Sequence, residues 1–423
     1  MSIPSRVTVV GAGAAGLSVA EGLRREGFSG RLTLVGEEEH LPYDRPPLSK
    51  QLLTGAWEPD RLPLRSGEDI ERLDLDLRLG VRATALDSDR REVVLDDGSR
   101  VGYEALVIAT GAAPRRLPET EGIAGIHVLR TLEDALGLRS ALGDKPRLAV
   151  VGSGFVGAEA AAVARELGVD VTMITDVAAP LADALGVELG ALLTEVHREN
   201  GVRIEAGVGV ESVTTHDGHA TGVRLADGRT IAADAVLVGI GAVPNTAWLA
   251  GSGIPVGNGV ECDSTLYAGS GVWAAGDVAA WLHPRTGRAL RIEHRTNAAE
   301  QGLAVARNIL AGPGRATPFD SVPYVWSDQY DLKVQIYGQT RNADRVEIVE
   351  GSVADRRLVA LYGRGDRVCG VAGINLPRAT RTHRALVAEA APWPNARSED
   401  HPLKDPADDL PQHTVKEPLR STS

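Results

Sequence analysis

A chain of 423 residues with 43% hydrophobic and 24% charged side chains has the make-up of a globular protein of roughly two to four domains. Its formal net charge of −12 speaks against a general nucleic-acid or anionic-membrane binder, and no apolar run approaches the ~20 residues of a membrane helix. The two cysteines, Cys262 and Cys369, lie far apart, which excludes a disulfide framework and points to a cytoplasmic setting; without a basic, apolar leader, no signal peptide is expected.

The chain begins with an apolar strand, Val7 to Val10, followed by Gly11-Ala12-Gly13-Ala14-Ala15-Gly16 and an alanine-rich helical run. Strand, Gly-x-Gly-x-x-Gly and helix together form a dinucleotide fingerprint. The first two glycines let the turn tighten and the backbone approach a pyrophosphate. The third lets the helix pack close to the strand, with its N-terminus facing the phosphates. Arg31 to Val35 reads as a second strand, and Glu37 follows at the spacing of a ribose-binding carboxylate; a plain surface glutamate is the alternative. Arg91 to Leu95, Asp96-Asp97-Gly98 and Val101 predict a hairpin, and Leu106 to Ala109 a buried strand running into Thr110 and Gly111.

The plan then repeats. Leu148 to Val151 leads into a second fingerprint, Gly152-Ser153-Gly154-Phe155-Val156-Gly157, with a helix expected from Ala158 to Leu167 and a strand from Val169 to Thr175. A second Asp-Gly hairpin signal falls at Asp227-Gly228, and the apolar strand Ala235 to Ile240 runs into Gly241. This internal repeat argues for two homologous units, and a protein that holds two dinucleotides commonly moves electrons between them. At the end of the second unit's second strand, an acid selects NADH and basic residues select NADPH. Here Thr175 is followed by Asp176, with no Arg or Lys through Leu181, so NADH is expected over NADPH, with Asp176 as ribose ligand. No Cys-x-x-Cys is present, so a thiol relay is not expected.

Further on, Val272-Trp273-Ala274-Ala275-Gly276-Asp277 precedes a helical run from Asn297 to Leu310. A smaller unit follows from about Val322, with strands at Lys333 to Tyr337, Arg345 to Val349, Leu358 to Tyr362 and Val368 to Ala372. Residues 392–423 are Pro-, Asp- and Ser-rich without periodicity and read as a mobile tail.

Several stretches resemble one family. Leu41-Pro42-Tyr43-Asp44-Arg45-Pro46-Pro47-Leu48-Ser49-Lys50, Ala109-Thr110-Gly111, Ala275-Gly276-Asp277, Glu293 to Ala298 and Trp326-Ser327-Asp328-Gln329-Tyr330 are similar to motifs of FAD-dependent, NAD(P)H-linked ferredoxin reductases of the putidaredoxin reductase type. The resemblance runs from about residue 5 to 390. It implies an α/β, glutathione-reductase-like architecture of two Rossmann-like nucleotide-binding domains plus a C-terminal α/β domain. The FAD-binding domain would comprise 1–111 and 241–318, the NAD(P)-binding domain 112–240 and the C-terminal domain 320–391.

The resemblance also implies roles. FAD would lie on Gly11, Gly13, Ala14, Ala15 and Gly16 with Ala109, Thr110 and Gly111, and the nicotinamide dinucleotide on Gly152, Gly154, Phe155, Val156 and Gly157 with Gly241. Asp277 would accept from the FAD ribityl chain, or act as a helix N-cap. Arg45 would sit beside the pyrophosphate and Lys50 beside the isoalloxazine. Glu159 would meet Lys50, or be a helix-start glutamate favoured by the macrodipole. Trp326 would cover the flavin edge, or be a core strand aromatic. The implied activity is NAD(P)H:ferredoxin oxidoreduction, with the ferredoxin serving a cytochrome P450 or ring-hydroxylating dioxygenase. Rubredoxin, quinone or small-acceptor reductases and a redox-sensing flavoprotein are the other readings, and monomer and homodimer both stay open. Arg285, Arg288, Arg291 and Arg295 are a candidate basic docking patch or a solvated face.

Overall fold

A computed structural model describes residues 3–393. A six-stranded sheet runs in the order Tyr267–Gly269, Val272–Ala274, Ala105–Ile108, Arg6–Val10, Arg31–Val35, Asp76–Arg78, with only the first pairing antiparallel. Its central strands are aliphatic and buried on both faces, as a parallel sheet covered by helices requires. A second, all-parallel sheet of five strands is inserted after this one's first pass: Arg203–Ala206, Asp170–Thr175, Arg147–Val151, Ala235–Val238, Ile126–His127. In each sheet the fingerprint strand is central: Val10 pairs with Val35 and Ile108, and Val151 with Ile174. Both glycine turns therefore leave the carboxyl edge of a sheet at a switch point, where ligands of such sheets bind.

The chain passes between the two units twice, through Ala112–Pro114 and Ala242–Pro244, which pair antiparallel. Thr110 and Asn245 lock this double crossing with two reciprocal side chain–backbone hydrogen bonds of 2.8 and 2.9 Å. Both expected Asp-Gly hairpins form. The helix Arg295–Ala311 lies against Ala14–Arg25 through small residues: a Cβ on Gly302 would stand 2.5 Å from the Ala15 carbonyl. That close packing holds Gly276 and Asp277 over the first fingerprint.

The third unit is an antiparallel five-stranded sheet in the order Tyr324–Gln329, Leu332–Gly338, Arg367–Ile374, Arg357–Arg364, Arg345–Ser352. Its inner face (Leu332, Val334, Ile336, Leu358, Ala360) shares one apolar core with the second unit's helices and with Leu48, Leu52 and Leu53. The segment around Lys50 is thereby fixed between the other two units. Pro392 and Trp393 are part of this unit, Trp393 donating its amide to the Asp366 carbonyl at 2.7 Å. The first two residues of the expected tail are thus structured, and the rest of that stretch, residues 394–423, lies outside the described residues. The second fingerprint helix starts at Phe155, capped by Gly154, rather than at Ala158. Glu159 consequently sits in the second turn, where the macrodipole offers it little.

Candidate active site

The glycines of the two fingerprints have matching surroundings, and each glycine has a distinct reason. Gly11 (φ 118) and Gly152 (φ 100) are left-handed, and an added Cβ would stand 2.1 Å from the Ala109 carbonyl oxygen and 2.3 Å from that of Gly239. Gly16 and Gly157 let their helices press onto the turn: a Cβ there would meet the Gly11 and Gly152 carbonyl oxygens at 1.9 and 2.4 Å. The middle glycines differ. A Cβ on Gly13 or Gly154 would meet nothing within 4 Å, because each faces the cleft ahead of a helix N-terminus. Both helices, Ala14–Arg25 and Phe155–Glu166, lack a side-chain cap, so their first amides are free for an anion.

One continuous cleft of about 1780 Å³ runs past both turns, well beyond the roughly 300–1,000 Å³ of an ordinary small-molecule pocket. Its lining takes in Glu37, Gly13 and Thr110 as well as Glu159, Gly154 and Gly241. Its walls fit a polar, extended ligand. Two ring nitrogens in the lining, Trp248 Nε1 and His294 Nδ1, are buried without a hydrogen-bond partner among the described residues. Burial holds the His294 imidazole neutral, its pKa pushed down to about 4 despite the Asp277 charge.

The first half of the cleft is lined by paired charges. Arg45 donates to Glu38 at 2.6 Å and to the Arg130 carbonyl, and its guanidinium lies 5.1 Å over the Tyr43 ring. Tyr43 donates to Glu38 at 2.5 Å, and burial raises its phenol above the usual range. Asp277 is not a helix cap, since the chain after it enters the strand Ala279–Leu282 and the next helix is capped by His294. Its carboxylate accepts from Arg130 at 2.8 Å, with only 13% of the Asp277 side chain exposed. Glu37 lines the cleft, more than half exposed, and pairs with Arg82 at 2.8 Å. Neither Arg130 nor Glu38 stands out in the sequence. The one available signal for Arg130 is its place just before the capping box Thr131/Asp134 that starts the helix Leu132–Gly143.

Where the two halves meet, Lys50 Nζ lies 2.6 Å from Glu159 Oε2 across 109 residues of sequence. The Lys50 side chain is 12% exposed and that of Glu159 5%, so this is a nearly dry ion pair. Such pairs persist only when well bonded, and the Ser49 hydroxyl also donates to Oε2, at 2.5 Å. The C-terminal sheet closes the cleft with Tyr324 and Trp326. Both rings also line a separate outer hollow of about 260 Å³ with Asp328 and Lys333, so Trp326 is a partition between cleft and exterior rather than a core aromatic.

One expected side chain is not drawn into the cleft. Asp176 stands exposed at the end of its strand, beyond the cleft lining, while the preceding Thr175 is buried and bonded to Ser153 at 2.8 Å. Of the four arginines of the candidate patch, Arg285, Arg291 and Arg295 pair with Asp320, Glu293 and Asp44, and Arg288, Arg291 and Arg295 line the cleft. Neither cysteine lines the cleft. Burial pushes the Cys262 thiol up to about 12, where it is inert as a nucleophile.

Residues 5–302 match the family described as pyridine nucleotide-disulphide oxidoreductase, and residues 324–412 match the reductase C-terminal family. The chain is 37% identical to rhodocoxin reductase of Rhodococcus erythropolis, across 91% of this chain and 90% of that protein. It is 38% identical to the ferredoxin–NAD(+) reductase component of the p-cumate 2,3-dioxygenase system of Pseudomonas putida, across 95% and 96%. The covalent putidaredoxin reductase–putidaredoxin complex superimposes with a TM-score of 0.86 at 34% identity, covering 91% of this chain and 93% of that one. The ferredoxin reductase of the CYP199A2 system from Rhodopseudomonas palustris gives 0.84 at 34%, covering 88% and 91%. Among the described residues no helix is long and apolar enough to cross a membrane. With two fingerprints opening onto one cleft and both family matches spanning the units that form it, the chain belongs to the pyridine nucleotide-disulphide oxidoreductases, in the branch that carries the reductase C-terminal domain.

Proposed function

We propose that this protein is an FAD-containing ferredoxin reductase that takes hydride from NADH and passes electrons to the ferredoxin of a P450 or ring-hydroxylating oxygenase. One observation carries the reading: a single cleft joins both fingerprints and brings Lys50 and Glu159 together between them, with no thiol on its walls. When bound there, FAD accepts the hydride and releases electrons one at a time.

The chain's own residues define the rest. Residues 1–111 and 241–318 form the FAD-binding domain, with Gly11, Gly13, Ala14, Ala15 and Gly16 at the pyrophosphate and Ala109, Thr110 and Gly111 lining the same part of the cleft. Glu37 takes the adenosine ribose, and the paired Arg45 and Asp277, with Arg130, hold the polar middle of the ligand. Residues 112–240 form the nicotinamide domain, with Gly152, Gly154, Phe155, Val156, Gly157 and Gly241 along the dinucleotide. Lys50 and Glu159 set the electrostatics where the two ligands meet, and an ammonium held beside the reacting edge favours the added negative charge of reduction. Trp326 of the C-terminal domain shields that edge and presents the outer hollow to the acceptor. Asp176, exposed at the strand end just outside the cleft lining, favours NADH through its charge, which repels a 2′-phosphate, and no Arg or Lys follows through Leu181 to receive one. Scarce, unreactive cysteines support a cytoplasmic location.

Steady-state assays of the holoenzyme test this. The expected result is a kcat/KM for NADH above that for NADPH, and reduction of a [2Fe–2S] ferredoxin faster than of rubredoxin or quinone. Fast turnover with quinone alone would replace ferredoxin as the acceptor, and slow turnover with every carrier would favour a redox-sensing role.

A further inference from the structure

The strand Tyr324–Gln329 splits its side chains by alternation. Trp326 and Asp328 face the outer hollow, whereas Ser327 and Gln329 are buried, at 0% and 1% exposure, toward the second fingerprint helix. Ser327 Oγ stands 2.7 Å from Glu159 Oε1. Behind it the contacts continue: Gln329 Nε2 to Ser327 Oγ at 3.1 Å, His197 Nε2 to Gln329 Oε1 at 3.0 Å, and Tyr330 hydroxyl to His197 Nδ1 at 3.1 Å.

The hydrogen-bond directions follow from chemistry. A carboxylate only accepts, so Ser327 donates to Glu159 and receives the Gln329 amide. The Gln329 oxygen then faces His197 Nε2, which must carry the hydrogen, and Nδ1 accepts from Tyr330. Every donor in the chain points toward Glu159. This polarity needs a neutral imidazole, and burial supplies one: His197 is fully buried on the helix Ala182–Glu199, and its pKa is pushed down to about 4. The chain includes a carboxamide, which does not pass a proton without rearranging its amide, so it orients rather than conducts.

We propose that Ser327, Gln329 and His197 are positioning residues that fix the orientation of the Glu159 carboxylate, and through it the Lys50 ammonium, at the junction of the flavin and nicotinamide sites. The inference rests on the Lys50–Glu159 role proposed above. Its physical core is the division of the two oxygens. Oε2 accepts from Ser49 and Lys50, and Oε1, among the described residues, from Ser327 alone. Remove that hydroxyl and the carboxylate is free to turn about its last bond, carrying Lys50 with it. The C-terminal domain thereby holds the reaction centre from behind with one face of a strand while screening it with the other.

The test is a redox titration of the bound flavin in the holoenzyme, paired with its limiting rate of reduction by NADH, for Ser327→Ala, Ser327→Thr, Gln329→Leu, Lys50→Met and Glu159→Gln. Ser327→Ala and Gln329→Leu are expected to move the flavin midpoint potential in the direction of Lys50→Met and to slow reduction about tenfold, the scale of one hydrogen bond to a charged group. Ser327→Thr, which keeps the hydroxyl, is expected to stay near wild type. Ser327→Ala combined with Glu159→Gln is expected to cost no more than Glu159→Gln alone. Wild-type potentials and rates in Ser327→Ala and Gln329→Leu, alongside an altered Lys50→Met, would overturn the positioning inference and leave the ion pair's role standing. Equal losses in Ser327→Ala and Ser327→Thr would also overturn it, by assigning the effect to packing. An unaltered Lys50→Met would remove the parent reading itself.

Discussion

The two fingerprints share a backbone and almost nothing else. Their left-handed glycines avoid carbonyl oxygens at 2.1 and 2.3 Å, and their middle glycines both face open space. Yet the first is walled by interlocked charges, Arg45 with Glu38 and Arg130 with Asp277, whereas the second ends in a buried Thr175 and an exposed Asp176. On the proposed assignment, the same turn serves a ligand gripped along its length in one unit and a ligand free to come and go in the other. A retained cofactor and an exchanging co-substrate need this asymmetry.

Placing one carboxylate in each turn would expose the difference most strongly. Gly13→Asp and Gly154→Asp both add a side chain where there is room for a Cβ, so both chains are expected to fold. Gly13→Asp is expected to yield protein nearly devoid of flavin. Gly154→Asp is expected to keep its flavin and raise the KM for NADH by about 100-fold, roughly 2.7 kcal/mol. Flavin content by absorbance and steady-state kinetics separate them, and flavin loss in both would mean that the two sites are not distinct.

A smaller effect is expected at the charged wall. Arg130→Leu leaves the Asp277 carboxylate without its partner in a largely buried place, a loss of about 2 kcal/mol in holoprotein stability. Adding Asp277→Asn is expected to recover part of the thermal midpoint, though not the affinity for FAD. No recovery would show that the pair contributes through contacts other than charge.

Much of this was legible in the sequence, and the reason is locality. Each fingerprint is a strand, a turn and a helix within some twenty residues, and the Asp-Gly hairpins are shorter still. What the sequence does not show is which distant side chains meet, even where, as at Ser327 and Gln329, the stretch itself resembles a family motif. Arg130 meets Asp277 across 147 residues and Ser327 meets Glu159 across 168, and single serines, glutamines and arginines carry no spacing signature. Burial also misleads: His197 falls in an amphipathic run where a core histidine and a positioning one look alike. The arginine run shows the converse. Four arginines close in sequence suggest a cationic surface, but acids from distant segments, Asp320 and Asp44 among them, neutralise most of it.

At the open end of the second site, Asp176→Arg is expected to shift the NADPH-to-NADH ratio of kcat/KM about tenfold toward NADPH, near 1.4 kcal/mol. An unchanged ratio would place the ribose end elsewhere. The smallest expected effect concerns pH. His197 is held neutral with a pKa of about 4, against about 6.5 when unfolded. The unfolded chain therefore binds the extra proton first, and stability falls as pH drops below 6.5 toward 4. His197 contributes on the order of 1 kcal/mol of that loss between pH 7 and pH 5.5. His294, depressed likewise, adds in the same direction. His197→Asn is expected to flatten the acid limb of the thermal midpoint against pH, and an unchanged slope would remove His197 from that limb.

In the proposed function, one cleft hands electrons from a nicotinamide to a flavin and then to an external protein. Anaerobic rapid mixing of the holoenzyme with NADH, followed by a second mix with oxidised ferredoxin, tests it most directly. The account predicts fast loss of the oxidised-flavin absorbance in the first mix, and its return, with reduction of the iron–sulfur centre, in the second. A flavin that neither NADH nor NADPH reduces, or a reduced flavin that leaves ferredoxin oxidised, would contradict it.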